Sequence, residues 1–257
     1  MARNRSKILI AFLVLIGALT VAAYLFKSDL ARYYGNYRSA RASSIYLESQ
    51  IRKYDIHGID VSHHQGTIDW DEVTHPDSTK QISFAFIRAS VGLDKDKKFK
   101  RNWKNARKEG IAVGAYHYYW ANVNSAKQAA IFTAQVTLKK GDLPPVLDIE
   151  DTSSIQDNAS LRKGLKNWIK IIEAHYSVKP IIYTGQSYFK DYLAPDDYFK
   201  DYPRLWIANY NFVDEPDVSG WSFWQYSDRI PVTGVKTLVD GNVYKDDKIS
   251  FNALLLK

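Results

Sequence analysis

Two carboxylates, Asp148 and Glu150, stand two residues apart in Leu143-Pro-Pro-Val-Leu-Asp-Ile-Glu-Asp151. The run reads as a short buried strand ending in acids. Residues i and i+2 of a strand point to the same side, with Cα atoms roughly 7 Å apart at about 3.3 Å per residue. Two acids projecting together from an apolar strand repel each other and are costly to desolvate. Such a pair fits general acid/base chemistry on a neutral polar substrate.

Other polar residues cluster in the same way. Gly58-Ile-Asp-Val-Ser-His-His-Gln-Gly66 places Asp60 near a strand end, and Gly114-Ala-Tyr-His-Tyr-Tyr-Trp120 places Tyr116 and Tyr118. Ile182-Tyr-Thr-Gly185 offers Tyr183, and Leu205-Trp-Ile-Ala-Asn-Tyr210 offers Trp206. Phe223-Trp-Gln-Tyr-Ser227 offers Gln225, and Val239-Asp-Gly-Asn242 offers Asp240 and Asn242. Mere solvent contact at strand ends does not explain the aromatic bias or the shortage of lysine.

The elements that must bring these groups together are β-rich runs near 57–62, 82–89, 112–119, 144–150, 180–185, 204–209, 222–227 and 237–243. Helical patterns fall near 98–109, 125–138 and 159–176, the last with Trp168, Ile169, Ile172 and Tyr176 at helical spacing. Alternating strand and helix predicts a parallel sheet, and eight strands in this length predict a closed barrel. Helical signal fades after residue 195, so the fold class expected is α/β, an eight-stranded TIM-like barrel with a reduced helix complement. Catalytic groups of such barrels sit at the C-terminal ends of strands.

The 257 residues, 46% hydrophobic and 14% aromatic, suffice for one large core. Cysteine is absent, which excludes disulfides and thiolate metal sites. The net charge of +7 lies entirely in residues 1–54, which hold nine Lys/Arg and two Asp/Glu. Residues 55–257 hold 26 of each, leaving no excess charge to neutralise phosphates, so nucleic-acid binding is not expected. Ile8 to Phe26 is 19 residues without charge, preceded by Arg3, Arg5 and Lys7. As a helix it spans about 28 Å, close to a bilayer's hydrocarbon core. An uncleaved membrane anchor through residues 8–26 is favoured over a cleaved signal peptide, with the remainder outside the cytoplasm. The expected organisation is a cytoplasmic tip and anchor (1–27), a juxtamembrane spacer (28–54) and the barrel (55–257).

The ordered segments resemble the family 25 glycoside hydrolases, the N-acetylmuramidase lysozymes. The resemblance runs from G-I-D-V-S-H-H-Q-G and Ile68-Asp-Trp70 through Phe86-Ile-Arg88 and Phe99-Lys-Arg-Asn102. It continues in G-A-Y-H-Y, L-D-I-E, I-I-Y-T-G, L-W-I-A, W-Q-Y-S and V-D-G-N, covering about residues 55–245. It implies a (β/α)5(β)3-type barrel that cleaves the β-1,4 bond between N-acetylmuramic acid and N-acetylglucosamine in peptidoglycan strands. By position, Glu150 matches the general acid/base and Asp148 the carboxylate that supports the substrate acetamido group. Asp60 and Asp240 match the other rim acids. Tyr116, Tyr118, Tyr183, Trp206, Gln225 and Asn242 fall along the sugar groove. Val91 and Asn209 depart from the family pattern or sit where it varies, which bears on subsites rather than on the acids.

In this reading, ionised Asp148 raises the pKa of Glu150 and keeps it protonated as the acid. The competing reading of Asp60 is a turn cap before His63 and His64, and that of Asp240 is a turn carboxylate. Arg88 either buttresses the acids or binds substrate. Adjacent His63 and His64 on a strand would face opposite ways, so neither a metal site nor a cofactor is expected. Lys95-Asp-Lys-Lys-Phe-Lys-Arg101 reads as a solvated helix start. A chitinase-type site would carry further aspartates before the pair, and Pro144 to Leu147 holds none. A non-enzymatic glycan-binding protein would not need all four acids.

Overall fold

Inward and outward residues alternate along each strand, and this alternation builds the molecule from the inside. The computed structural model describes residues 50–210 and 215–257. The run at 8–26, and the spacer up to residue 49, lie outside the described residues. No helix among the described residues is long and apolar enough to cross a membrane. The compact unit that carries the strands runs from Ile51 to Lys257. Ile51 and Tyr54, from the stretch read as spacer, are buried in it.

The strands are β1 (His57–Val61), β2 (Ile82–Val91), β3 (Asp94–Lys95), β4 (Ala112–Tyr118) and β5 (Val146–Asp148), followed by β6 (Ile181–Gly185), β7 (Leu205–Ala208), β8 (Trp221–Ile230) and β9 (Val239–Tyr244). Their order is β1-β9-β8-β7-β6-β5-β4-β2-β3, and β1 also pairs with β2. Eight strands therefore close a barrel, and β3 is a two-residue flap folded back on β2. The expected eight runs all appear, with shifted ends. The change that matters for the site is in β5, which stops at Asp148, so Glu150 lies beyond the strand. Extended pairing still reaches past it, because Ile149 N donates to Tyr183 O at 3.0 Å.

The sheet is not wholly parallel, contrary to the sequence expectation. The last strand, β9, runs antiparallel to both β8 and β1. Parallel strands need a crossover of about a dozen residues, whereas antiparallel strands can be joined directly. Only 231–238 separate β8 from β9, too few for a crossover. Asp240 therefore sits near the start of its strand, not its end. The reversed direction still brings it to the rim, opposite Asp60.

Helices α1 (Phe99–Lys108), α2 (Ser125–Gln135) and α3 (Asn158–Tyr176) flank the first half, as the apolar spacing predicts. The Asp157 carboxylate caps α3 by accepting from Ser160 N at 2.7 Å. Leu161, Leu165, Trp168, Ile169 and Ile172 form the buried stripe of α3. A terminal helix, α4 (Lys248–Leu254), was not evident from the sequence. Its Phe251 packs on Phe84 and Tyr244 at the end of the barrel where β1 and β2 start.

The interior is layered. Phe84, Phe86, Tyr116, Val146, Ile181, Tyr183, Trp206, Phe223 and Tyr244 belong to one buried cluster, with Phe86 stacked on Trp206 at 4.2 Å. Gly58 and Gly114 make room for this layer. A Cβ at Gly58 would lie 2.4 Å from the Phe84 ring, and one at Gly114 would lie 2.5 Å from the Phe86 ring. One inward step further along the strands come Asp60 on β1, Arg88 on β2, Tyr118 on β4, Asp148 on β5 and Gln225 on β8. The site is thus the polar layer laid on an aromatic floor.

Candidate active site

A cleft of about 260 Å³ opens on this polar layer. Of the residues singled out in the sequence, Asp60, Arg88, Tyr116, Tyr118, Asp148, Glu150, Tyr183, Trp206, Gln225 and Asp240 line it. Asn242 does not reach the cleft. It is fully buried and supports Asp60 from behind.

Asp60 is held as an acceptor. Gln225 Nε2 and Asn242 Nδ2 each donate to its Oδ2 at 2.8 Å. Trp206 Nε1 donates to Asn242 Oδ1 at 2.8 Å, and Tyr183 OH donates to Gln225 Oε1 at 2.7 Å. The reading of Asp60 as a turn cap does not hold, because Ser62 caps that turn. The network also spends the polar atoms of Gln225, Asn242 and the Trp206 indole on the protein itself. Trp206, almost without solvent contact, is a floor residue and not an exposed stacking platform.

Burial raises the Asp60 carboxyl, against the lowering effect of its two amide donors. Asp240 is raised too, by burial first and then by the Asp60 and Asp228 charges. Asp148 is buried and is pushed well above the usual carboxylate range, by desolvation first and then by Glu150 and Asp60. Its Oδ1 has no hydrogen-bond partner. Glu150 stands at the open side of the cleft, where solvent reaches it. Partial loss of water still raises it, followed by the Asp151 and Asp60 charges. The order is the reverse of the sequence expectation: the deeper Asp148 is the more strongly raised. Depth decides this, since Asp148 lies inside the barrel and Glu150 beyond the strand.

Three contributors escaped the sequence reading. Asp96, inside the lysine-rich run taken for a solvated helix start, has a side chain only 1% exposed. It accepts from Arg88 Nε at 3.1 Å, His63 N at 3.0 Å and Lys98 N at 2.8 Å. Asp151 accepts from Tyr118 OH at 2.8 Å and orients that ring. Tyr210 lines the cleft and donates to Gln225 Oε1. His63 and His64 are not on a strand. They lie in a 3-10 turn, with ring centroids 4.1 Å apart. Among the described residues no group of three or more His, Cys, Asp or Glu side chains is placed to hold a metal ion.

Raised carboxyls at the mouth of a closed barrel, above an aromatic floor and ringed by tyrosines, define a glycosidase cleft. The comparisons agree with that class. The model of the glycosyl hydrolases family 25 matches residues 59–235, and the chain belongs to that family. It is 39% identical to the Escherichia coli K12 protein YegX over 221 residues, 84% of this chain and 78% of that one. It is 33% identical to Lysozyme M1 of Streptomyces globisporus over 213 residues, 77% of this chain and 71% of that one. A family 25 glycosyl hydrolase from Bacillus anthracis matches with a TM-score of 0.69 at 32% identity, covering 79% of this chain and 95% of that one.

Proposed function

We propose that this glycosidase hydrolyses peptidoglycan at the β-1,4 bond between N-acetylmuramic acid and N-acetylglucosamine, with Glu150 as general acid/base and Asp148 assisting the substrate acetamido group. The observation that carries the assignment is the pairing in one cleft of Asp148, buried and raised by loss of water, with Glu150 at the open side. An acetamido group carries an N–H that a carboxylate so placed can accept.

The proton balance then follows. While the cleft is empty, burial favours a proton on Asp148. An acetamido N–H donated to its carboxylate favours the charged form of Asp148, and a sugar covering Glu150 removes its remaining water. Both effects move the proton toward Glu150. Charged Asp148 orients the amide so that its carbonyl oxygen attacks the anomeric carbon. Glu150 gives its proton to the departing glycosidic oxygen. Water then opens the cyclic intermediate as the Glu150 carboxylate takes the water's proton, and the configuration is retained.

The test is digestion of purified peptidoglycan with identification of the new reducing end by mass spectrometry. Muramic acid at the new ends is the expected result. Glucosamine ends, or inversion of the anomeric product, would remove the mechanism.

We also propose that residues 8–26 anchor the chain as a single-pass membrane protein with the barrel outside the cytoplasm. The support is the uncharged 19-residue run behind Arg3, Arg5 and Lys7. Retention in the membrane fraction after alkaline carbonate washing is expected. A soluble, N-terminally shortened product would instead mean signal cleavage.

A further inference from the structure

The cleft has a charge asymmetry that acid/base chemistry leaves unused. Among the described lining residues, Asp60, Asp148, Glu150 and Asp240 are acids, whereas Arg88 and His64 are the basic groups. Arg88 is held in place by its side chain, and His64 is carried on an ordered turn. Arg88 Nε donates to Asp96 Oδ2 at 3.1 Å, and its Nη2 meets His63 Nδ1. The turn that presents His64 is fixed at both ends: His64 N donates to the Ser62 hydroxyl at 3.2 Å, and Ser62 N donates to Gln65 Oε1 at 2.8 Å. The His64 ring contacts His63 and makes no hydrogen bond within the described residues.

We infer that Arg88 and His64, aligned by Asp96 and His63, form a recognition site for a carboxylate carried by the glycan substrate. This rests on the reading of the cleft as a muramidase site. Three physical points lead there. The buried Asp96 pairs with Arg88, so the guanidinium, which also favours the charged form of Asp148, is set in a fixed direction. A guanidinium fixed in orientation matches the two oxygens of a carboxylate, which a neutral sugar hydroxyl does not require. A donor ring left without a partner in the same cleft supplies a further contact.

Two substrate carboxylates have this chemistry. One is the lactyl carboxylate of a muramic acid residue that has lost its stem peptide. The other belongs to the stem peptide itself. The experiment uses the full-length protein in detergent with four soluble substrates: strands with intact stems, strands stripped by an amidase, and each of these with its carboxylates converted to methylamides. The readout is the ratio of kcat/KM for the charged and amidated forms of the same strand. The expected ratio for the wild type is about 10, the fold-change equivalent to about 1.4 kcal/mol, near the lower end for hydrogen bonds to charged groups. The ratio should fall toward one in His64→Gln and in Arg88→Lys, which keeps the charge but loses the fork. Circular dichroism verifies that both variants are folded. A high ratio on stripped strands assigns the lactyl carboxylate, and one confined to stem-bearing strands assigns the peptide. Cleavage of every strand with ratios near one would overturn the inference and leave the muramidase reading intact. So would equal ratios in wild type and variants. Failure to cleave any strand would overturn the reading beneath it.

Discussion

His117 should make this barrel acid-labile by an amount that can be worked out from its surroundings. It lies on β4, without solvent exposure, one residue from the cleft-lining Tyr116 and Tyr118. Gln128 Nε2 donates to the carbonyls of Trp120 at 3.1 Å and Val123 at 3.0 Å. That fixes Gln128 Oε1 as an acceptor, and it meets both Trp120 N at 2.9 Å and His117 Nε2 at 3.1 Å. His117 therefore carries its proton on Nε2, and Nδ1 accepts from the Ser90 hydroxyl at 2.8 Å. A second proton would require the Ser90 hydroxyl to turn from donor to acceptor, and burial pushes the ring's pKa down from 6.5 to about 4. Below about pH 6.5 the unfolded chain takes up a proton that the folded chain refuses. The stability from this group is thus complete above the unfolded pKa and is lost as pH falls toward 4. At about 1.4 kcal/mol per unit, the full loss is about 3 kcal/mol, of which about 2 is gone by about pH 4.5. That is a large share of the roughly 5–15 kcal/mol typical of a domain. The assay is urea unfolding of the wild type and His117→Gln at about pH 7 and about pH 4.5. His57, also pushed down to about 4, remains in both and cancels. The variant should be weaker at neutral pH, yet lose about 2 kcal/mol less on acidification. Parallel losses in the two proteins, within about 0.5 kcal/mol, would refute the buried neutral imidazole.

The other predictions concern the acids and the floor. Glu150→Gln should lower kcat/KM on peptidoglycan by about 10²–10⁴ while the thermal midpoint stays within a few degrees; a smaller loss would move the acid elsewhere. Asp240→Asn should stabilise the protein above about pH 8. The raised carboxyl of Asp240 costs folding energy when forced to ionise, and this cost fades as pH falls through its folded value of about 8. After discounting for solvent screening, a gain of about 1–3 kcal/mol at high pH is expected, smaller near pH 5 by urea titration. Gly114→Ala should destabilise by about 1–3 kcal/mol in the same measurement, because the new methyl meets the Phe86 ring.

Much of this was legible because alternation is local. The inward set Gly114, Tyr116 and Tyr118 can be counted along one strand, and the i, i+2 pair Asp148 and Glu150 likewise. Strand direction is not local, so alternation alone predicts a parallel sheet throughout, although the eight residues 231–238 leave no room for a crossover. The turn at His63 and His64 also left a signal. Ser62 followed three residues later by Gln65 is a capping box, and it marks a helical turn where a strand was continued. Asp96 left none. Apart from Lys98 N two residues on, its partners lie 8 and 33 residues away, and its neighbours in sequence are lysines. The relative protonation of Asp148 and Glu150 was equally out of reach, because depth in a barrel is set by the whole sheet.

The aromatic floor and the acids above it act as one device. Phe86, Trp206 and Phe223 exclude water from beneath the polar layer, and that exclusion is the leading reason the carboxyls of Asp60, Asp148 and Asp240 are raised. The same floor is tied to the acids by direct bonds. Trp206 on β7 holds Asn242 on β9, which holds Asp60 on β1, and Asp60 is shared with Gln225 on β8, which takes the Tyr183 hydroxyl from β6. Five strands thus meet at one carboxylate that need not itself donate the proton. A shift of any one of them would alter both the hydrogen bonds on Asp60 and its distance from Asp148 and Asp240, whose protonation it influences. The closed sheet therefore does more than carry the acids to one rim, because its closure fixes the spacing on which their shared protons depend.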